Sequence, residues 1–97
     1  MKHKWHHGIE KSSCIICSRT LFTRTARKCP GDCPGPAVEN VMICLSLVDR
    51  ETKPKIVQAW TPEQRYAAMN WAARVHLAAS DKRVRVPPMP AFIGRTL

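Results

Sequence analysis

The sequence predicts a small α+β protein: an N-terminal knuckle or ribbon-like module, a β-hairpin, one main helix towards the C-terminus and an extended proline-rich tail. Three observations predict it. Four cysteines fall between positions 14 and 33, a β-prone apolar run occupies residues 41–48, and an alanine-rich segment with a strong helix-start signal covers residues 61–80. A chain of 97 residues suits one small domain. Its composition divides it into residues 1–36, 37–80 and 81–97.

Residues 1–36 are rich in His, Cys, Lys and Arg and close on Cys29-Pro30-Gly31-Asp32-Cys33-Pro34-Gly35-Pro36. Prolines remove backbone donors and glycines favour positive φ, so this run is irregular chain. The cysteines read C-x2-C-x11-C-x3-C, formed by Cys14, Cys17, Cys29 and Cys33. Two thiolates separated by two residues on a tight turn both reach one tetrahedral ion at about 2.3 Å. Soft thiolate donors select Zn2+ over harder ions. The spacing ranks Cys14, Cys17 and Cys29 as ligands, with Cys33 first for the fourth position and His3 second. His6 and His7 follow, and His3-Lys4-Trp5 is placed to fold back over the first knuckle. The cysteine count is five, an odd number that suits disulfides poorly. Cys44, alone in an apolar run, reads as a small buried hydrophobe.

Residues 38–60 read as a β-hairpin. Val41 to Val48 form the first strand, Asp49 to Pro54 a polar turn, and Lys55 to Trp60 the returning strand. The helix that follows starts on Thr61 as N-cap, with Pro62 at the first helical position and Gln64 completing a capping box. Its periodicity puts Ala68, Trp71, Ala72, Val75, Ala78 and Ala79 on one face, expected to pack on the hairpin. A second stripe of Tyr66, Met69, Ala73 and Leu77 requires cover from the tail, another subunit or a partner protein. Tyr66, Met69 and Leu77 are therefore the candidate partner-binding residues, and a homo-oligomer is one way to cover them. The tail, with Val84-Arg85-Val86-Pro87-Pro88-Met89-Pro90, reads as extended chain.

The formal net charge is +9, with +5 of it in residues 1–36. Lys11, Arg19, Arg24, Arg27 and Lys28 have no acidic residue among them, a one-sided field that attracts polyanions. These five are the candidate nucleic-acid contacts, with Trp5 as a stacking group. No stretch approaches the roughly 20 apolar residues of a membrane span. The charged, His-rich N-terminus lacks the apolar core of a signal peptide, so a reducing, cytoplasmic compartment is expected. No paired carboxylates, Gly-rich phosphate loop or nucleophile elbow is present, which argues against an enzyme.

The His-x-Trp start, the C-x2-C pair and the Cys-Pro-Gly knuckle resemble those of small zinc-binding proteins encoded by phages and prophages. Trp60-Thr61-Pro62-Glu63-Gln64-Arg65, Val75-His76-Leu77-Ala78-Ala79-Ser80-Asp81 and Val84-Arg85-Val86-Pro87-Pro88 share that character. The resemblance implies an accessory or regulatory role in the host cytoplasm, through binding DNA or by blocking a host complex of defence or transcription. It also implies that the early histidine, here His3, is a ligand. A zinc-stabilised nucleic-acid-binding protein is the leading expectation, and a protein-binding module or inhibitor the alternative.

Overall fold

The computed structural model describes residues 1–28 and 31–96. Three short strands form an antiparallel sheet in the order β1 (Trp5–His7), β2 (Lys11–Cys14), β3 (Thr20–Phe22). Five helices follow: α1 (Thr23–Ala26), α2 (Val38–Ser46), α3 (Pro54–Ala59), α4 (Pro62–Ser80) and α5 (Ala91–Thr96). The small α+β class expected from the sequence is the class observed. No helix among the described residues is long and apolar enough to cross a membrane.

The sheet has two unlike faces. Trp5 pairs with Cys14 and His7 with Ser12, and Ser12 and Cys14 are buried. On the other face lie His6, Lys11, Ser13, Thr20 and Phe22, all exposed. Lys11 stands opposite Phe22 and Ser13 opposite Thr20. The alternation is the period-2 pattern of a strand pair covered on one side.

A polar chain centred on the buried Ser12 ties the sheet to α1. Ser12 Oγ lies 2.8 Å from His7 Nδ1 and 2.9 Å from Thr23 Oγ1, and Thr23 Oγ1 donates to the Gly8 carbonyl at 2.9 Å. Each hydroxyl has one proton. Thr23 gives its proton to Gly8, so Ser12 donates to Thr23 and accepts from a His7 protonated on Nδ1. The relay satisfies Ser12, which is fully buried.

Residues 38–60 correct the hairpin expectation: they form α2 and α3. The run from Val41 to Val48 is β-prone by composition, but its buried positions follow the helical period. Val41 and Leu45 have no exposed surface, Val38, Met42, Cys44 and Val48 pack around them, and Ile43 and Leu47 face outwards. Tertiary packing overrides the preference of β-branched residues for strands. The α2 C-terminus is closed by Asp49 at φ 59°, with the Arg50 amide bonded to the Leu45 carbonyl at 2.9 Å. Pro54, expected in a turn, is the first residue of α3, where its missing N–H has no cost.

The α4 helix matches its expected start. The Gln64 amide donates to Thr61 Oγ1 at 3.1 Å, and the Thr61 amide donates to Gln64 Oε1 at 2.9 Å. Ala68, Trp71 and Ala72 are buried on it, against α2 in place of the expected hairpin. The tail is only partly extended, since it ends in α5, where Ile93 is fully buried and Phe92 meets Trp60 edge-on at 5.2 Å. The extended part crosses α4, where Trp71 Nε1 donates to the Pro87 carbonyl at 3.3 Å.

The molecule is a plate of 40 × 34 × 18 Å with two small cores. The larger lies among α2, α3, α4 and α5. The smaller consists of Cys14, Ile16 and Cys33, with Met1, Trp5, Cys17 and Tyr66 packed around them.

Positions 43 and 45 separate the helix from the strand. A strand would place them on one face, whereas α2 buries Leu45 and exposes Ile43. Leu45→Ala is expected to lower unfolding free energy by about 2–5 kcal/mol in urea titrations. Ile43→Ala is expected to stay within about 0.5 kcal/mol of the parent.

Candidate metal centre

One backbone contact joins the N-terminal segment to the Cys33 segment, a second joins it to the first knuckle, and a third ties together the two ends of the knuckle. The Cys33 amide donates to the Met1 carbonyl at 2.6 Å, the Ile15 amide to the Lys4 carbonyl at 2.9 Å, and the Cys14 amide to the Arg19 carbonyl at 2.9 Å. The knuckle itself is a tight turn: the Ser18 amide reaches back to the Cys14 carbonyl at 2.9 Å, and Ser18 has φ 65°.

These contacts gather His3, Cys14, Cys17 and Cys33, whose donor atoms all lie within 4.8 Å of one another. Cys14 Sγ and Cys33 Sγ are 3.9 Å apart, and Cys17 Sγ is 3.5 Å from His3 Nδ1. Two sulfurs at about 2.3 Å from a tetrahedral ion stand about 3.8 Å apart, so the spacing matches the edge of such a site. Cys14 and Cys33 are 2% and 1% exposed, and all four described cysteines are free. The cluster could hold a metal ion.

The electrostatics point the same way. At Cys14, burial opposes ionisation, but hydrogen bonds from the Cys17 backbone, the His3 ring and the Ile16 backbone outweigh it and lower the thiol from 9.0 to about 6. At Cys33, burial prevails over the Gly35 backbone, and the sulfurs of Cys17 and Cys14 reinforce it, raising the thiol to about 11. One thiolate thus suppresses the ionisation of its neighbour. A divalent cation among them removes that conflict, since it stabilises every thiolate that faces it.

The site is walled by its own chain. Trp5 stacks on His3 with ring centroids 4.7 Å apart. Tyr66 from α4 packs against the cluster, and Lys4 Nζ donates to its hydroxyl at 3.3 Å while lying 5.0 Å above its ring. The Tyr66 hydroxyl is lowered from its usual pKa by its hydrogen bond with Asn70 and then by Lys4. Arg65 links the two cores, donating to the Trp60 carbonyl at 2.7 Å and to the Pro34 carbonyl at 2.6 Å. Gly35 permits this junction: at φ 82°, any Cβ there would stand 2.8 Å from Pro62 Cα.

The spacing-based set therefore takes a different form. Cys33 and His3, rivals for one position in the sequence, both join the cluster with Cys14 and Cys17. Cys29 lies outside the described residues. His6 is on the open sheet face and His7 is engaged with Ser12, so neither joins. Cys44 is half-buried against the helical core, and His76 is exposed on α4. The stripe assigned to a partner is mostly used internally: Tyr66 covers the cluster and Met69 packs on the helical core, leaving Leu77 exposed at 52%. Trp5 has one face taken by His3. Residues 18–28 contain β3 and α1, and Lys11, Arg19, Arg24, Arg27 and Lys28 are all exposed on or beside the sheet. Comparison with protein-family models, curated proteins and solved structures finds no match.

Single-residue variants measured for bound metal by elemental analysis check the ligand set. Cys14→Ser, Cys33→Ser and His3→Ala are each expected to lower metal affinity by at least about tenfold. Cys44→Ser is expected to keep the parent content. Retention of metal by Cys29→Ser assigns the fourth position to His3, and its loss assigns that position to Cys29.

Proposed function

We propose that the protein is a zinc-stapled, basic nucleic-acid-binding module. The observation that carries this reading is the pairing of a closed, four-donor cluster with cations that have no carboxylate partner. Three thiolates and one imidazole suit Zn2+ better than harder ions, and the free cysteines fit a reducing, cytoplasmic compartment. Four protein donors would complete a tetrahedral shell with no position left for a reacting water, so the metal's proposed role is structural rather than catalytic. A shell of three thiolates around Zn2+ keeps one net negative charge, and the chain around it stays strongly cationic.

Lys11, Arg19, Arg24, Arg27 and Lys28 support the nucleic-acid reading. Among the described residues the only ion pairs join the Met1 amine to Glu63 and Arg83 to Asp81, so these five cations are unpaired. Phosphates would be their natural counterions. An accessory or regulatory role of the phage type rests on the motif resemblance alone.

A second reading, a protein-binding module or inhibitor, has one observation in its favour. Ile43 on α2 and Leu47, the residue that caps its C-terminus one turn later, are 58% and 56% exposed. A protein partner or a second copy of the chain would cover such a pair.

The first reading is tested by titrating the zinc-loaded protein with DNA at several salt concentrations. Affinity is expected to fall steeply with salt, and each of Arg24→Gln and Arg27→Gln should reduce the log–log slope by about 1. An affinity indifferent to salt would overturn the assignment. Chelation of the metal is expected to weaken binding as the sheet loses its anchor.

A further inference from the structure

The sheet's open face carries a feature that the basic residues alone do not explain. Of the six aromatic side chains, three Trp, one Tyr and two Phe, only Phe22 is exposed, at 59%. Trp60 and Trp71 are buried, and Trp5, Tyr66 and Phe92 are half-buried in packing. An aromatic ring left on an open sheet face loses the burial that ordinarily stabilises it.

Phe22 is also held in place. It precedes Thr23, which the Ser12 relay fixes to Gly8, and it faces Lys11 across the β2–β3 pair. Lys11 Nζ is 5.9 Å from the ring centroid. Two hollows border the ring. One of about 430 Å³ runs to Ile9 and Arg24, and the other, of about 330 Å³, to Lys11 and Thr20. Ser13, Thr20 and His6 extend the same face with small or planar polar groups. Glu10, which borders the larger hollow, is the one acid there.

We propose that this face binds single-stranded nucleic acid, with one base stacked on Phe22 and flanking phosphates held by Lys11 and Arg24. The inference rests on the nucleic-acid reading above and adds the form of the ligand. A paired base in a duplex has its faces occupied by its neighbours, whereas an unpaired base offers a free face to a ring. Charge complementarity favours this occupant over an apolar peptide: Lys11 and Arg24 border the hollows beside the ring, against Glu10 alone. Stacking of this kind tolerates any base, so the site selects strandedness over sequence.

The zinc-loaded full chain is titrated with fluorescent oligothymidylate, oligouridylate and a duplex of equal length at low salt. Single strands are expected to bind more tightly than the duplex, whichever of the two homopolymers binds better. Phe22→Leu is expected to weaken single-strand affinity about tenfold with an unchanged salt slope, while Phe22→Tyr retains it and Glu10→Gln strengthens it. Because the ring is exposed, Phe22→Leu should keep the parent circular dichroism. A 2-aminopurine base in the oligonucleotide should be quenched by the parent protein and not by Phe22→Leu. Parent-like affinity and quenching in Phe22→Leu, or a duplex bound as tightly as the single strand, overturns the stacking assignment and leaves the polyanion reading standing. Failure of the parent to bind any of the three overturns both.

Discussion

The rest of the structure depends on the meeting of three cysteine sulfurs and one imidazole in a space under 5 Å across. Only Cys14, Ile16 and Cys33 are fully buried around it. So small an apolar core cannot hold together three strands and the irregular chain after them, because ordering each residue costs about 1–2 kcal/mol of backbone entropy alone. Crowded thiols make matters worse in the absence of a cation, since burial first and the neighbouring sulfurs after it oppose the ionisation of Cys33. The same residues become a strong cross-link once a soft divalent ion joins them. Donors from three separate segments would then be fixed at one point, and the sheet would inherit its position from that point.

The first two turns of α4 connect this module to the helical core. Thr61 and Gln64 fix where the helix begins. Arg65 and Tyr66 then project to one side, towards Pro34, Lys4 and the cluster, while Ala68, Trp71 and Ala72 project to the other, towards α2. One helix thus serves two cores, and the stripe that looked unsatisfied in the sequence is shared between them. The plate-like shape follows from this arrangement: two small cores side by side give a molecule 18 Å thick in its narrowest direction.

What was legible in the sequence was local. The α4 start could be read because a capping box involves residues three apart, and the C-x2-C knuckle because both donors sit on one turn. Cys33 was legible as a donor because glycine and proline beside it exclude regular structure. The α2 helix was not, since Val41, Ile43 and Val48 favour strands locally and only the distant α4 surface selects the face holding Val41 and Leu45. The six-residue α5 helix had no internal signal strong enough to announce it and depends on the burial of Ile93. His3 was underrated because its membership comes from a backbone contact between Lys4 and Ile15 that no spacing rule encodes. Phe22 escaped notice for a related reason: Thr20-Leu21-Phe22 is an unremarkable β-prone triplet until its register with Lys11 shows which face it occupies.

The order of the donors along the chain has a consequence for how the protein is made. His3, Cys14, Cys17 and Cys33 all precede the helical layer, and a nascent chain emerges N-terminus first. A metal bound by this cluster, as proposed, could therefore be captured while α2 to α5 are still unsynthesised. Tyr66 and Arg65 then arrive at a surface that is already formed, and Gly35 leaves room for Pro62 to settle against it. A chain translated under metal starvation would present α4 with no such surface. Its helical layer would then have to dock without the Tyr66 and Arg65 contacts in place, so under the proposed metal binding the supply of metal during translation would bear on the assembly of both cores.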